Sequence, residues 1–166
     1  MSVAPAPCPV LVLGMGNILL TDEGLGVRAL EAFRARYEVP ENVELLDGGT
    51  TGMGLLDDIG GRTHLLVLDA MQTGAPPGTL AVLRGEEVPV YFGRRGTPHQ
   101  LGLSDVLATL ELAGEKPAHV TVLGIVPDSL ELSLELSDTI AAQLDGLVDA
   151  LVTELAALGH PPRPRH

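Results

Sequence analysis

The sequence predicts a single-domain α/β fold with a mostly parallel sheet buried between helices, and three observations carry that expectation. Short runs such as Val10-Leu11-Val12-Leu13 and Val120 to Val126 are apolar throughout, as strands covered on both faces must be and strands with one wet side are not. These runs alternate with segments whose apolar residues recur at helical spacing. A chain of 166 residues is long enough to bury one proper core and too short for a second. Hydrophobic residues make up 45% and aromatics only 2%, so that core is built from Leu, Val, Ile and Ala.

The first strand, Val10 to Leu13, runs into Gly14 and Gly16, which let the backbone turn tightly at the C-terminal end of the strand. In open α/β sheets that edge is where ligands are held. Thr21 reads as an N-cap, and Val27, Leu30, Phe33 and Tyr37 recur behind it, giving a helix from about Asp22 to about Glu38 with Glu23 in its first turn. A second strand, Val43 to Leu46, delivers Asp47-Gly48-Gly49-Thr50 to the same edge. A two-turn helix, Met53 to Ile59, with Asp57 and Asp58 on its solvated face, leads back to a third strand, Thr63 to Leu68, which ends in Asp69. The connection Ala70 to Gly78 is broken by Gly74, Pro76, Pro77 and Gly78 and is too short for a crossover helix, so Thr79 to Leu83 is expected to return antiparallel to its predecessor, at or near a sheet edge.

Arg84 to Pro98, which contains Glu86-Glu87, the apolar piece Val88 to Phe92 and Gly93-Arg94-Arg95-Gly96, reads as a mobile surface loop. Leu103, Val106, Leu107 and Leu110 then mark a helix, and Val120 to Val126 the last strong strand, halted by Pro127. Leu130 to Leu136 alternates Leu with Glu or Ser and suits either an exposed strand or an extended loop. From Ser137 to Leu158 the chain is helical, with Ile140, Leu144, Leu147, Leu151 and Leu155 as the buried stripe. The lead over residues 1–8 and the Pro-rich tail, Gly159 to His166, read as flexible, which removes His160 and His166 as ligands. His64 and His119 open their strands at the edge opposite the ligand-holding one and read as structural.

The formal net charge is -12, from 22 acids against 10 bases, a surface that repels phosphate backbones and anionic lipid and so excludes nucleic-acid and membrane partners. The same acidity suits a cationic substrate or metal, and it also serves solubility. The single cysteine, Cys8, excludes an internal disulfide and a Cys-rich zinc site. No apolar run approaches the length of a membrane span, and the start MSVAPAPCP lacks the features of a secretory signal. A cytoplasmic monomer is expected.

Gly14-Met15-Gly16-Asn17-Ile18-Leu19 carries two of the three glycines of a dinucleotide fingerprint, and Asp47 at the end of the next strand mimics its ribose-binding acid. Leu19 stands where the third glycine belongs, and Asp22 and Glu23 would repel a pyrophosphate at the helix start. A cation is favoured there over a nucleotide, although either acid alone also serves to complement the helix dipole. The strand, helix, strand, helix, strand order brings the Glu23 turn, Asp47 and Asp69 towards one crevice. His99, between a polar segment and a helix, completes a set of two carboxylates and one imidazole that can hold a divalent cation and leave positions open for water or substrate.

Four segments in register, GMGNILLTDEGLGVR at Gly14 to Arg28, LLDGGTTGMGLL at Leu45 to Leu56, LVLDAM at Leu66 to Met71 and TPHQLGLSDVL at Thr97 to Leu107, resemble the hydrogenase maturation endopeptidases. These trim the C-terminal extension from the large-subunit precursor of [NiFe]-hydrogenases after nickel insertion. The resemblance runs from the first strand to beyond Pro127 and implies a three-layer α/β sandwich, with a twisted sheet and helices on both faces. It also implies that Glu23, Asp69 and His99 form the metal-binding triad and act in cleavage, and that Asp47, Gly48, Gly49 and Thr50 take part in substrate recognition. The implied metal is nickel carried by the precursor, with a separate divalent ion as the other option.

Such an ion can polarise the scissile carbonyl or lower the pKa of an attacking water, with a spare carboxylate oxygen taking the proton. A serine or cysteine peptidase is poorly supported: G-x-S-x-G is absent, Ser104 falls within the helix after His99, and Cys8 precedes the sheet. HExxH is absent as well. The rival readings are a non-catalytic nickel-sensing chaperone of the same precursor and a nucleotide-binding α/β module on Gly14 and Gly16.

Overall fold

In the computed structural model the described residues are 8–95 and 98–166, and for residues 93–95, 98, 99 and 101 only the backbone is described. The lead read as flexible therefore lies, up to residue 7, outside the described residues. In chain order the elements are β1 (Val10–Met15), a 3-10 turn (Thr21–Gly24), α1 (Leu25–Arg36), β2 (Tyr37–Glu38), β3 (Val43–Gly49), a second 3-10 turn (Met53–Leu55) continued by α2 (Leu56–Ile59), β4 (His64–Ala70), β5 (Leu80–Arg84), α3 (Glu87–Arg95), α4 (Pro98–Ala113), β6 (His119–Ile125), α5 (Asp138–Ala141), α6 (Leu144–Ala157) and β7 (Arg163–Pro164).

Five strands form one sheet in the order β3-β1-β4-β6-β5. The first four run parallel and β5 pairs antiparallel with β6. Successive side chains of a strand point to opposite faces, so each strand feeds two cores. Val10, Val12, Leu66, Leu68, Leu123 and Ile125 pack with α1 and α6 through Leu30, Phe33, Leu147 and Leu151. Leu11, Leu13, Leu65, Val67 and Val122 pack with α2, α3 and α4 through Ile59, Phe92, Leu103 and Val106. The result is the three-layer α/β sandwich expected. Among the described residues no helix is long and apolar enough to cross a membrane.

The chain leaves β1 to one side for β3 and returns past it to β4, so the sheet changes winding direction between β1 and β4, the place where open α/β sheets hold ligands. Close packing there depends on Gly26: a Cβ at this position would run into the carbonyl oxygens of Leu68 and Met15. Only a residue without a side chain lets α1 lie directly on both strands.

Four expectations need correction. Thr21 is no N-cap: α1 begins at Leu25 after a separate 3-10 turn, and Thr21, with φ +49°, uses its hydroxyl to donate to the Glu131 carbonyl. The segment read as a mobile loop from Arg84 to Pro98 holds helix α3, because Val88 and Phe92, one helical turn apart, are both buried on the sheet. Pro89 is tolerated because it falls in the first turn, where a backbone N–H has no helical partner. The tail read as flexible contains β7, which pairs antiparallel with β2, while Arg165 donates from its backbone N to the Arg36 carbonyl at 2.8 Å. Finally, β5 is antiparallel and at an edge as expected, but its neighbour is β6 and not the preceding strand.

At the N-terminal edge of the sheet His64 and His119 lie in register on β4 and β6, with rings stacked at 4.8 Å. Burial holds the His64 imidazole below its ordinary value of 6.5, His119 and His160 lower it further, and Glu154 opposes them. The same corner holds Arg84, whose guanidinium hydrogen-bonds the Glu154 carboxylate and holds it below its ordinary range. A histidine that is harder to protonate when folded contributes stability fully present above its unfolded pKa and lost as pH falls below it. Urea unfolding at pH 7.5 and pH 5.5 is expected to show a larger acid-side loss for the native chain than for His64→Gln. That window lies above the range in which Glu154 titrates.

Candidate active site

The site is assembled where β1 ends. Gly16 has φ +126° and donates its backbone N–H to the Gly49 carbonyl at 2.8 Å. A Cβ at Gly16 would strike the carbonyl oxygen of Glu23 and stand 3.7 Å from Oδ1 of Asp69. The Glu23 turn and the Asp69 carboxylate thus meet around one residue that has no side chain. Glu23 is half-buried within its 3-10 turn, and Asp69, on the last but one residue of β4, is fully buried.

Oδ1 of Asp69 accepts the backbone N–H of Ala70 at 2.9 Å, and Oδ2 accepts Nε2 of Gln100 at 2.8 Å. The same Gln100 nitrogen donates to the Ala70 carbonyl at 3.0 Å, and the side chain is 2% exposed. Gln100 lies in the first turn of α4, so the N-terminal end of that helix, with its partial positive charge, sits over the Asp69 carboxylate. Pro98 occupies the first helical position, where its fixed φ suits the helix. The backbone of His99 is therefore within the helix, one residue from the side chain bound to Asp69. Its imidazole lies outside the described residues. Among the described residues no group of three or more His, Cys, Asp or Glu is placed to hold an ion.

Asp47, Gly48 and Gly49 are the last residues of β3 and not a loop, and Thr50 follows them. Asp47 is exposed, and its Oδ1 accepts the Gly49 N–H at 2.8 Å, a local turn that fixes the strand end. The segment joins the site through the Gly16 to Gly49 hydrogen bond. On its far side Gly52 meets Gly102 of α4, where a Cβ on either would come within 3.0 to 3.2 Å of the other's Cα. The sheet edge thus places the Asp47 segment beside Gly16, with α4 beyond it.

Two residues have roles that sequence patterning did not assign. Asp22, weighed as a complement to the helix dipole, is fully buried and accepts four hydrogen bonds. The donors are the backbone N–H groups of Asp128, Ser129 and Ser137 and the Ser137 hydroxyl, at 2.7–2.9 Å. Nothing local in the sequence announces partners more than a hundred positions away. Gln100 had one signal, an amide within the otherwise apolar start of α4 next to His99. The close-packing glycine that the dinucleotide fingerprint lacks at Leu19 is supplied by Gly26, and Leu19 is instead 53% exposed.

A family model described as hydrogenase maturation protease matches residues 27–154. The Hydrogenase 2 maturation protease of Escherichia coli (strain K12) is 46% identical over 157 residues, 94% of this chain and 96% of that protein. The hydrogenase expression/formation protein HupD of Rhodobacter capsulatus is 42% identical over 155 residues, 92% of this chain and 74% of that protein. The solved structure of the hydrogenase maturating endopeptidase HybD from E. coli is similar with a TM-score of 0.91 at 46% identity, covering 94% of this chain and 97% of that one. The [NiFe] hydrogenase maturation protease HybD from Thermococcus kodakarensis gives a TM-score of 0.73 at 27% identity, over 87% of this chain and 97% of its own.

Replacing Asp22 by Asn turns an amide NH2 towards groups that are all donors. The expected loss of stability is about 3 kcal/mol, measured as a fall in the urea midpoint at unchanged m-value.

Proposed function

Since the chain belongs to the hydrogenase maturation protease family, we propose that it is an endopeptidase that removes the C-terminal extension of a [NiFe]-hydrogenase large-subunit precursor after nickel insertion. The observation that supports this most is the meeting of the Glu23 turn and the Asp69 carboxylate at Gly16, beneath the helix start that carries His99. Nickel enters as cargo of the precursor, and Glu23, Asp69 and His99 are assigned as the side chains that contact it. The oxygen and imidazole donors of this set suit a borderline divalent ion.

Contact with the cargo ion checks the precursor for metal and brings the scissile bond to the site. The ion supplies polarisation of the carbonyl. Gln100 fixes the orientation of the Asp69 carboxylate, and a carboxylate oxygen of Glu23 or Asp69 takes the proton of the attacking water. Asp47, Gly48, Gly49 and Thr50 are assigned to substrate recognition, as the family resemblance implies, and the Gly49 carbonyl joins this segment to Gly16.

Incubation of the purified protein with nickel-loaded precursor tests the reading. Release of the extension, seen as a mass decrease, is expected, and a precursor that stays intact in complex would indicate a chaperone. Glu23→Gln, Asp69→Asn and His99→Ala are each expected to keep the circular dichroism spectrum and to slow processing about 100-fold or more. Native rates in any one of them would remove that residue from the triad.

A further inference from the structure

Beside the triad the molecule carries a groove and an apolar ridge that the cleavage reaction itself does not require. The groove, of about 350 Å³, lies between Gln72, Gly74 and Pro77 on one wall and Val126, Pro127 and Leu130 on the other. The first wall begins two residues after the end of β4, whose last but one residue is Asp69, and the second belongs to the loop clamped by Asp22, the residue before Glu23. One wall thus follows Asp69 in the chain, and the other is held by the residue next to Glu23.

Beyond Leu130 the loop turns its apolar residues outwards: Leu132 is 83% and Leu134 61% exposed. Ser133 ties this loop to the β1 exit, donating to the Leu19 carbonyl and accepting from the Thr21 N–H, each at 3.0 Å. The tie brings in Leu19, 53% exposed, and Ile18, 37% exposed. Apolar side chains concentrated on two loops that are hydrogen-bonded together mark an interaction surface, whereas scattered ones do not. From Pro127 to Asp138 the chain has four acids and no base, within a molecule of net charge -12.

We propose that this groove and ridge dock the hydrogenase large-subunit precursor through an apolar segment flanked by basic residues. The inference rests on the function proposed above. Charge complementarity selects the basic flanks, exposed leucines select the apolar segment, and the attachment of the two walls to the segments that carry Asp69 and Glu23 directs the bound segment to the scissile bond. Docking contributes binding that is the same before and in the transition state, so its loss raises KM and leaves kcat in place.

The test compares wild type, Leu132→Asp, Leu134→Asp and Leu132→Ser in cleavage of nickel-loaded precursor, with Leu112→Asp as a control on the 92% exposed end of α4. Precursor binding is measured alongside by biolayer interferometry. The two aspartate variants are expected to raise KM and Kd about tenfold with kcat within twofold of wild type. Leu132→Ser is expected to show a smaller rise, and Leu112→Asp none. Wild-type KM and Kd should rise with salt, and salt-independent binding would overturn the basic flanks. Wild-type KM and Kd in both aspartate variants would overturn the docking surface while leaving the cleavage reading intact. Binding without cleavage by the wild type would sink the cleavage reading, and the Kd values alone would then decide the docking surface.

Discussion

A carboxylate held out of water must be surrounded by donors, and at Asp22 that requirement organises one end of the molecule. Its donors come from Asp128, Ser129 and Ser137, the two ends of a single long connection between β6 and α5. Thr21 alongside is held at φ +49°, a conformation unfavourable for a β-branched residue. It persists because its N–H and hydroxyl both bond to the same connection. The 3-10 turn and the connection are therefore one mechanical piece, and Glu23 is the residue that piece displays next to Asp69.

The sheet supplies the other half of the arrangement. Parallel strands send their C-terminal ends to one edge, so Asp47 near the end of β3, Asp69 near the end of β4 and the Glu23 turn after β1 all lie at that edge although they are separated by more than twenty positions each. The approach of α1 at Gly26 keeps the Glu23 turn low on this edge, and at Gly16 the Glu23 carbonyl and the Asp69 carboxylate both come close to one residue. Both contacts exist because a side chain is absent.

Strands of continuous apolar sequence were the most legible part of the chain, because burial on both faces leaves a signal in every residue: β1, β4 and β6 lie where Val10, Thr63 and Val120 announce them. Helix α3 was hidden because it is short and carries Pro89 and Gly93, with Val88 and Phe92 as its buried residues. The convergence of the Glu23 turn on Asp69 followed from topology and the in-register motifs. The function of Asp22 was not legible, since its partners depend on a loop whose sequence permits several paths. Gln100 stood in view beside His99, but its bond to Asp69 depends on where α4 starts.

The contact between Gly52 and Gly102 is made by two backbones with nothing compressible between them. Most packed surfaces absorb a small push by rotating a methyl group or changing a rotamer, but two bare Cα atoms have no such freedom. A displacement at Gly52 must therefore be passed on undamped to α4, or else open a void. The stretch from Asp47 to Gly52 and the helix that begins at Pro98 are, in this sense, a rigid linkage across the C-terminal edge of the sheet.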